Sequence, residues 1–161
     1  MQDLTLVIPG TVLDQVLSHA WQEAPLESCG LLAGNLMGAG KPAEVTEYLP
    51  LVNELRSPTA FRTEATSLLQ AFRRMRQKKH ELLAIVHSHP RSPAVPSQRD
   101  LAENPYGDRV PWLIVGLAGA FPDVRLWWLR EDAFHPGFWQ LRGTSELASG
   151  VKPDSPPEAF L

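Results

Sequence analysis

The run Glu81-Leu82-Leu83-Ala84-Ile85-Val86-His87-Ser88-His89-Pro90 constrains this chain more than any other segment. Its first six residues form a short apolar run that reads as a buried strand. Residues i and i+2 of a strand share a face, so His87 and His89 aim both rings at one point and Ser88 turns away. Pro90 cannot donate to a central ladder and should stop the strand. Pro93 and Pro96 stiffen the loop that follows. Ser97 then reads as the N-cap of a short helix, Gln98 to about Asn104, with Asp100 one turn in.

The pattern His-x-His-x7-Ser-x-x-Asp supplies a ligand set. Two histidines and one carboxylate are the usual ligands of a catalytic zinc that keeps a fourth position for water. Such an ion can lower the pKa of water from about 15.7 to roughly 7. A proton carrier is still needed, and Glu is a common choice. Glu27, in the upstream turn Glu27-Ser28-Cys29-Gly30, is the candidate. The Ser97 hydroxyl could donate to a tetrahedral oxyanion. Ser97-x-x-Asp100 is also a plain capping motif, and the two readings are compatible because the cap orients the helix carrying Asp100. Non-haem iron uses the same ligand types, so the ligands alone do not choose the metal. A metallo-β-lactamase-type run would need Asp and His where Arg91 and Ser92 stand.

Glu27, His87, Ser88, His89, Ser97 and Asp100 together resemble the JAMM (MPN-plus) metalloprotease motif, Glu followed by His-Ser/Thr-His-x7-Ser-x-x-Asp. The segments Glu27–Gly34 and Trp112–Gly116 are similar to those of short prokaryotic JAB-domain proteins, and the likeness spans about residues 4 to 142. The resemblance implies a single-domain MPN-like (JAB) α/β fold, a mixed curved β-sheet flanked by helices. It implies one Zn2+ per chain on His87, His89 and Asp100, Glu27 as general acid/base, and Ser97 as an oxyanion donor. It also implies isopeptidase or peptidase action after the C-terminal Gly-Gly of a ubiquitin-like or sulfur-carrier protein. The short link from Leu55 to Phe61 leaves little room for the insertions of larger deubiquitinating relatives, which favours the sulfur carrier. The competing expectation is an MPN-type binding scaffold without turnover.

The remaining residues set the frame. At 161 residues, 43% hydrophobic, the chain is expected to form one domain over 1–143 with a real core. Residues 144–161, with three prolines, read as a tail without a fold of its own. A net charge of −3 gives no case for nucleic-acid binding. No apolar run approaches the ~20 residues needed to span a bilayer, and no secretory signal is expected at the N-terminus. The single Cys29 suits a reducing cytoplasm.

Leu4 to Ile8 reads as an opening strand. A helix should follow, capped by Thr11, with Val12, Leu13, Val16, Leu17, Ala20 and Trp21 on helical spacing, and end at Pro25. Ser28–Leu36 and Ala43–Val52 read as paired strands around Gly38–Gly40. Thr63 should cap a second helix with Ala65, Leu68, Leu69, Phe72 and Met75 on one face. Later strands are expected over Trp112–Leu117, Val124–Leu129 and Phe138–Leu141. The basic run Arg73–Lys79 reads as a solvated helix end. Tyr106 and Trp112 suit either packing or a substrate groove.

Overall fold

In the computed structural model, which describes residues 3–131 and 133–149, strands and helices alternate as the sequence pattern requires. The described elements are β1 (Leu6–Pro9), α1 (Gly10–Glu23), β2 (Cys29–Asn35), β3 (Ala43–Leu51), α2 (Ala65–Lys78) and β4 (Glu81–His89). They continue with α3 (Gln98–Ala102), β5 (Trp112–Gly116), β6 (Asp123–Arg130), β7 (Ala133–Pro136) and β8 (Trp139–Arg142).

The strands form one mixed sheet in the order β7-β6-β5-β4-β2-β3-β1-β8. β4 lies inside it, antiparallel to β2 and parallel to β5. The parallel pairing needs a crossover, which the loop after His89 and α3 supply. β7 and β8 occupy opposite edges, yet only Gly137 and Phe138 separate them. So short a link spans roughly 10 Å, so the sheet must curl until its edges meet there. Successive residues confirm the corner: Gly137 N donates to Leu126 O of β6 at 2.7 Å, and Phe138 O accepts from Leu6 N of β1 at 3.1 Å.

Each face of the sheet has its own cover. Val12, Leu13, Val16, Leu17 and Ala20 of α1 pack with Leu6, Ile8, Leu32, Val86, Leu113 and Val115. On the other side Ala71 and Met75 of α2 pack with Leu31, Leu49, Leu51, Ile85 and Trp112. Strand alternation continues the second face from Ile85 to His87 and His89. The imidazoles thus emerge where that apolar layer ends.

Several local details depart from the sequence reading. α1 starts after Pro9, and Thr11 is exposed without capping. α2 is capped by Glu64, whose Oε1 accepts from Thr66 N, while Thr63 bridges to Asn53. The inward stripe of α2 runs through half-buried Leu68 and buried Ala71 and Met75, an i, i+3, i+7 spacing. Leu69 and Phe72 sit on its exposed flank. β7 went unrecognised because Ala133–Pro136 lacks apolar alternation; its place comes from edge pairing with β6. Within the basic run, Arg74 and Lys78 reach Glu47 on β3 at 2.7 and 3.4 Å.

The expected tail begins in the sequence at Thr144, and its first residues lie against α1. Ser145 Oγ donates to Asp14 Oδ1 at 2.6 Å, Leu147 N donates to the same oxygen at 3.2 Å, and Leu147 and Ala148 pack on the α1 cluster. Residues 150–161 lie outside the described residues. Gly10 permits the docking, since a Cβ there would fall 1.7 Å from the Thr144 carbonyl oxygen. Gly10→Ala should therefore cost about 1–3 kcal/mol through forced displacement of backbone, lowering Tm by roughly 3–10 °C for a chain of this length. Gly119→Ala, which meets only an ordinary 3.6 Å contact, should leave Tm near that of wild type in the same thermal denaturation.

Candidate functional site

The end of β4 places His87 Nε2 3.0 Å from His89 Nε2. Ser88 points away as expected, its Oγ accepting from Ser28 N at 2.8 Å and from Ser28 Oγ at 3.0 Å. α3 delivers the third group through a capping box. Ser97 Oγ accepts from Asp100 N at 3.2 Å, and Asp100 Oδ2 accepts from Ser97 N at 2.7 Å. That reciprocal pair fixes the Asp100 carboxylate 3.3 Å from His87 Nε2 and 3.4 Å from His89 Nε2. The three residues are buried, and among the described residues they are the one group of donors gathered as a metal would require.

The geometry suits a tetrahedral ion. Ligands held at the roughly 2.0–2.1 Å typical of zinc lie about 3.3 Å from one another, close to the separations found here. The second nitrogen of His89 settles its tautomer. Nδ1 lies 2.8 Å from Pro93 O, which can only accept, so Nδ1 keeps its hydrogen, and on losing the Nε2 proton the neutral ring presents its lone pair at Nε2. The Pro93 carbonyl is itself anchored. Trp127 Nε1 donates to Ala94 O at 2.7 Å, and the Pro93–Ala94 backbone presses on Gly116, where a Cβ would fall 2.8 Å from Ala94 N. His87 is held by packing instead, with Phe61 stacked at 4.7 Å and Trp112 edge-on at 5.3 Å. Its Nδ1 has no partner among the described residues.

Electrostatics favour the ligand forms of His87 and Asp100. Burial lowers the pKa of His87 despite Asp100 beside it, keeping the ring neutral. Burial opposes charge on His89 too, but Asp100 and the Pro93 carbonyl raise it above its ordinary value. Asp100 is held well below the usual carboxylate range: burial works against its charge, and hydrogen bonds from His87 and His89 outweigh it. A bound cation would compete for Nε2 of His89 against a proton.

Glu27 lies just before β2, 5% exposed, with Oε2 lacking a hydrogen-bond partner among the described residues. Burial pushes its carboxyl up to about 8; His89 and Arg99 oppose that rise and Asp100 adds to it. Its main chain is tied to the segment after β3, N donating to Ser57 O at 2.9 Å and O accepting from Asn53 Nδ2 at 3.1 Å. Ser97 stands exposed at the cap, its oxygen engaged by Asp100 N and its hydroxyl hydrogen available to donate. Cys29 pairs across the sheet with His87, and burial pushes its thiol up to about 12, so it packs as a small apolar residue.

A cleft of about 500 Å³ adjoins Asp100, floored by Leu31, Phe61, Ile85 and Trp112 and rimmed by Arg99 and Tyr106. Tyr106 and Trp112 thus serve both packing and the groove. Sequence reasoning missed Phe61, Asn53, the Pro93 carbonyl and Gly116. Backbone carbonyls leave no trace in a motif, and Phe61 and Asn53 sit in a loop remote from it. Gly116, closing a strand beside the motif's partner segment, was the one available signal.

The Glu27 shift has a consequence for stability. In chelator-treated protein the folded state holds the Glu27 proton up to about pH 8, whereas the unfolded chain releases it near 4.5. Stability contributed at this position therefore falls as pH rises between those values. Glu27→Gln removes the effect. Its Tm advantage over wild type should be small near pH 4.5, grow through pH 8 and then level off; an advantage independent of pH would contradict the burial of this carboxyl.

Comparison with known proteins places the chain. A probable TtuB-protein conjugate cleaving protease of Thermus thermophilus is 39% identical over 72% of this chain and 73% of that protein. A desampylase of Pyrococcus furiosus is 32% identical over 79% and 83%. A CysO-cysteine peptidase of Mycobacterium tuberculosis is 33% identical over 60% and 63%. The solution structure of a Desulfitobacterium hafniense protein superposes with a TM-score of 0.78 at 28% identity, covering 89% of this chain and 96% of that one. A family model described as prokaryotic homologs of the JAB domain matches residues 9–130, from the start of α1 through β6, and the chain belongs to that family.

Proposed function

We propose that this protein is a zinc-dependent peptidase or isopeptidase that hydrolyses the bond after the C-terminal Gly-Gly of a ubiquitin-like or sulfur-carrier protein. One observation carries the reading: three buried donors separated by 3.0–3.4 Å occur together with a buried carboxylate oxygen that has no partner among the described residues. A binding scaffold has no use for an unpartnered buried carboxylate, which costs stability. The names of the relatives, a protein-conjugate cleaving protease, a CysO-cysteine peptidase and a desampylase, support a protein carrier as substrate. The buried, unpaired Cys29 suits a reducing cytoplasm.

His87, His89 and Asp100 would hold one zinc ion per chain. When bound, zinc would supply Lewis acidity toward the scissile carbonyl and toward water. Glu27 takes the proton at its carboxylate and returns it to the leaving amine. The Ser97 hydroxyl, whose oxygen already accepts from Asp100 N, donates its hydrogen to the developing oxyanion. Pro93 holds the His89 ring in the tautomer that keeps Nε2 free. The cleft beside Asp100, floored by Leu31, Phe61, Ile85 and Trp112, offers an apolar surface to one flank of the substrate.

Purified protein should bind about one zinc per chain, and His89→Ala or Asp100→Ala should bind it far more weakly. Glu27→Gln should retain zinc and lose about 10²–10⁴-fold in turnover. Metal analysis beside a cleavage assay checks both; zinc lost with Glu27→Gln would make that residue a ligand.

The bond itself is testable with a ubiquitin-fold carrier ending in Gly-Gly, fused to a short peptide and followed by intact mass. Cleavage should fall after the Gly-Gly, and replacing the last Gly with a bulky residue should hurt more than replacing the residue after the cut. Small residues let the carrier's backbone approach the metal closely. Zinc-loaded enzyme that ignores such fusions yet cuts unstructured peptides would leave a general metallopeptidase.

A further inference from the structure

We infer that Asn53 is a positioning residue that sets the place of Glu27; this rests on the reading of Glu27 as the proton carrier. Asn53 follows β3 and is 8% exposed. Its carboxamide makes one hydrogen bond for each of its two N–H groups and two acceptor sites. Nδ2 donates to Glu27 O at 3.1 Å and Ala60 O at 3.0 Å. Oδ1 accepts from Leu55 N and from Arg62 N, both at 3.1 Å. The partners fix which end is which: turned over, the amide would set oxygen against two carbonyls and NH2 against two N–H groups.

Glu27 depends on this segment for its main-chain contacts. Its N–H goes to Ser57 O and its carbonyl to Asn53, outside the ladders of β2. A carboxylate that must take and return a proton cannot have the reacting oxygen tied by a permanent donor. Glu27 Oε2 accordingly has no hydrogen-bond partner among the described residues. The position of such a group has to be imposed through its backbone, and Asn53 is the side chain that does so. The same amide fixes Ala60, next to Phe61, whose ring stacks on His87. The metal donors themselves stand on β4 and α3. His87 also keeps Trp112 and Asp100 beside it, so displacing Asn53 should move the proton carrier and leave the ligand set in place.

The test is Asn53→Asp, nearly isosteric, which keeps the acceptor oxygen and replaces the donor NH2 with an oxygen facing two carbonyls. Zinc-loaded enzyme is assayed on the Gly-Gly carrier–peptide fusion. The expected result is a fall in kcat of about 10- to 100-fold, the scale of lost orienting contacts, with KM little changed and zinc retained. In the Glu27→Gln background, followed over long incubations, Asn53→Asp should cause no further loss, because nothing remains to be positioned. Asn53→Ala, which leaves a gap in place of a charge, is run in parallel and carries the same expectations. Wild-type kcat in either folded, zinc-loaded variant overturns the inference. So does an equal fractional loss in both Glu27 backgrounds, or loss of the fold in both variants, since Asn53 would then serve the structure as a whole. Glu27→Gln enzyme that turns over like wild type would instead defeat the assignment of Glu27, independently of Asn53.

Discussion

Two imidazoles at the buried end of β4 set the terms for the rest of the molecule. A polar group moved from water into an apolar interior without a partner costs roughly 2–7 kcal/mol, and His87 and His89 are both buried. The structure answers by bringing a carboxylate to them on a separate element. Asp100 reaches both Nε2 atoms, and its own charge is supported by the Ser97 backbone N–H. The capping box therefore does more than start a helix. It aims the group that makes the strand end tolerable and, in doing so, gathers three donors at spacings suited to one ion.

The supporting contacts divide into those that hold the ligands and those that hold Glu27. The ligand side runs through the loop after β4: the Pro93 carbonyl orients His89, Trp127 anchors Ala94, and Gly116 allows the loop to lie flat on β5. The Glu27 side runs through the segment between β3 and α2, where Ser57 and Asn53 take the two main-chain groups of Glu27. Phe61 joins them by stacking on His87. This division suits hydrolysis, because ligands must be rigid at their donor atoms while a proton carrier must keep its oxygen unencumbered. The raised pKa of Glu27 reflects the same arrangement, burial with Oε2 unpartnered among the described residues.

Much of this was legible in the amino-acid order, and the reason is distance along the chain. His87, His89, Ser97 and Asp100 fall within fourteen residues, so strand period, a proline stop and a cap spacing fix their relation almost without tertiary help. Glu27 could be named as a proton carrier from its residue type, but with sixty residues between it and His87 no local spacing fixes its place. Element types followed from hydrophobic period, and errors gathered where propensity is weak. The rotation of α2 is one case: Leu69 and Phe72 have the character of core residues, but the sheet face they would meet is already filled by Leu68, Ala71 and Met75.

The sequence by itself determined a strand ending in a paired-histidine face, a capped carboxylate one short loop later, and a chain able to fold around a single sheet. These are local properties, set by backbone period and hydrogen-bonding chemistry over a few residues. Only the tertiary structure decided the curl of the sheet, since the meeting of β7 and β8 depends on which strands end at opposite edges. It also decided that Phe61 would wall His87, that Pro93 would choose the tautomer of His89, and that Asn53 would hold Glu27. Those contacts link side chains to backbone groups from distant loops. Backbone groups are identical in every residue, so their partners become specified only when the fold brings them together.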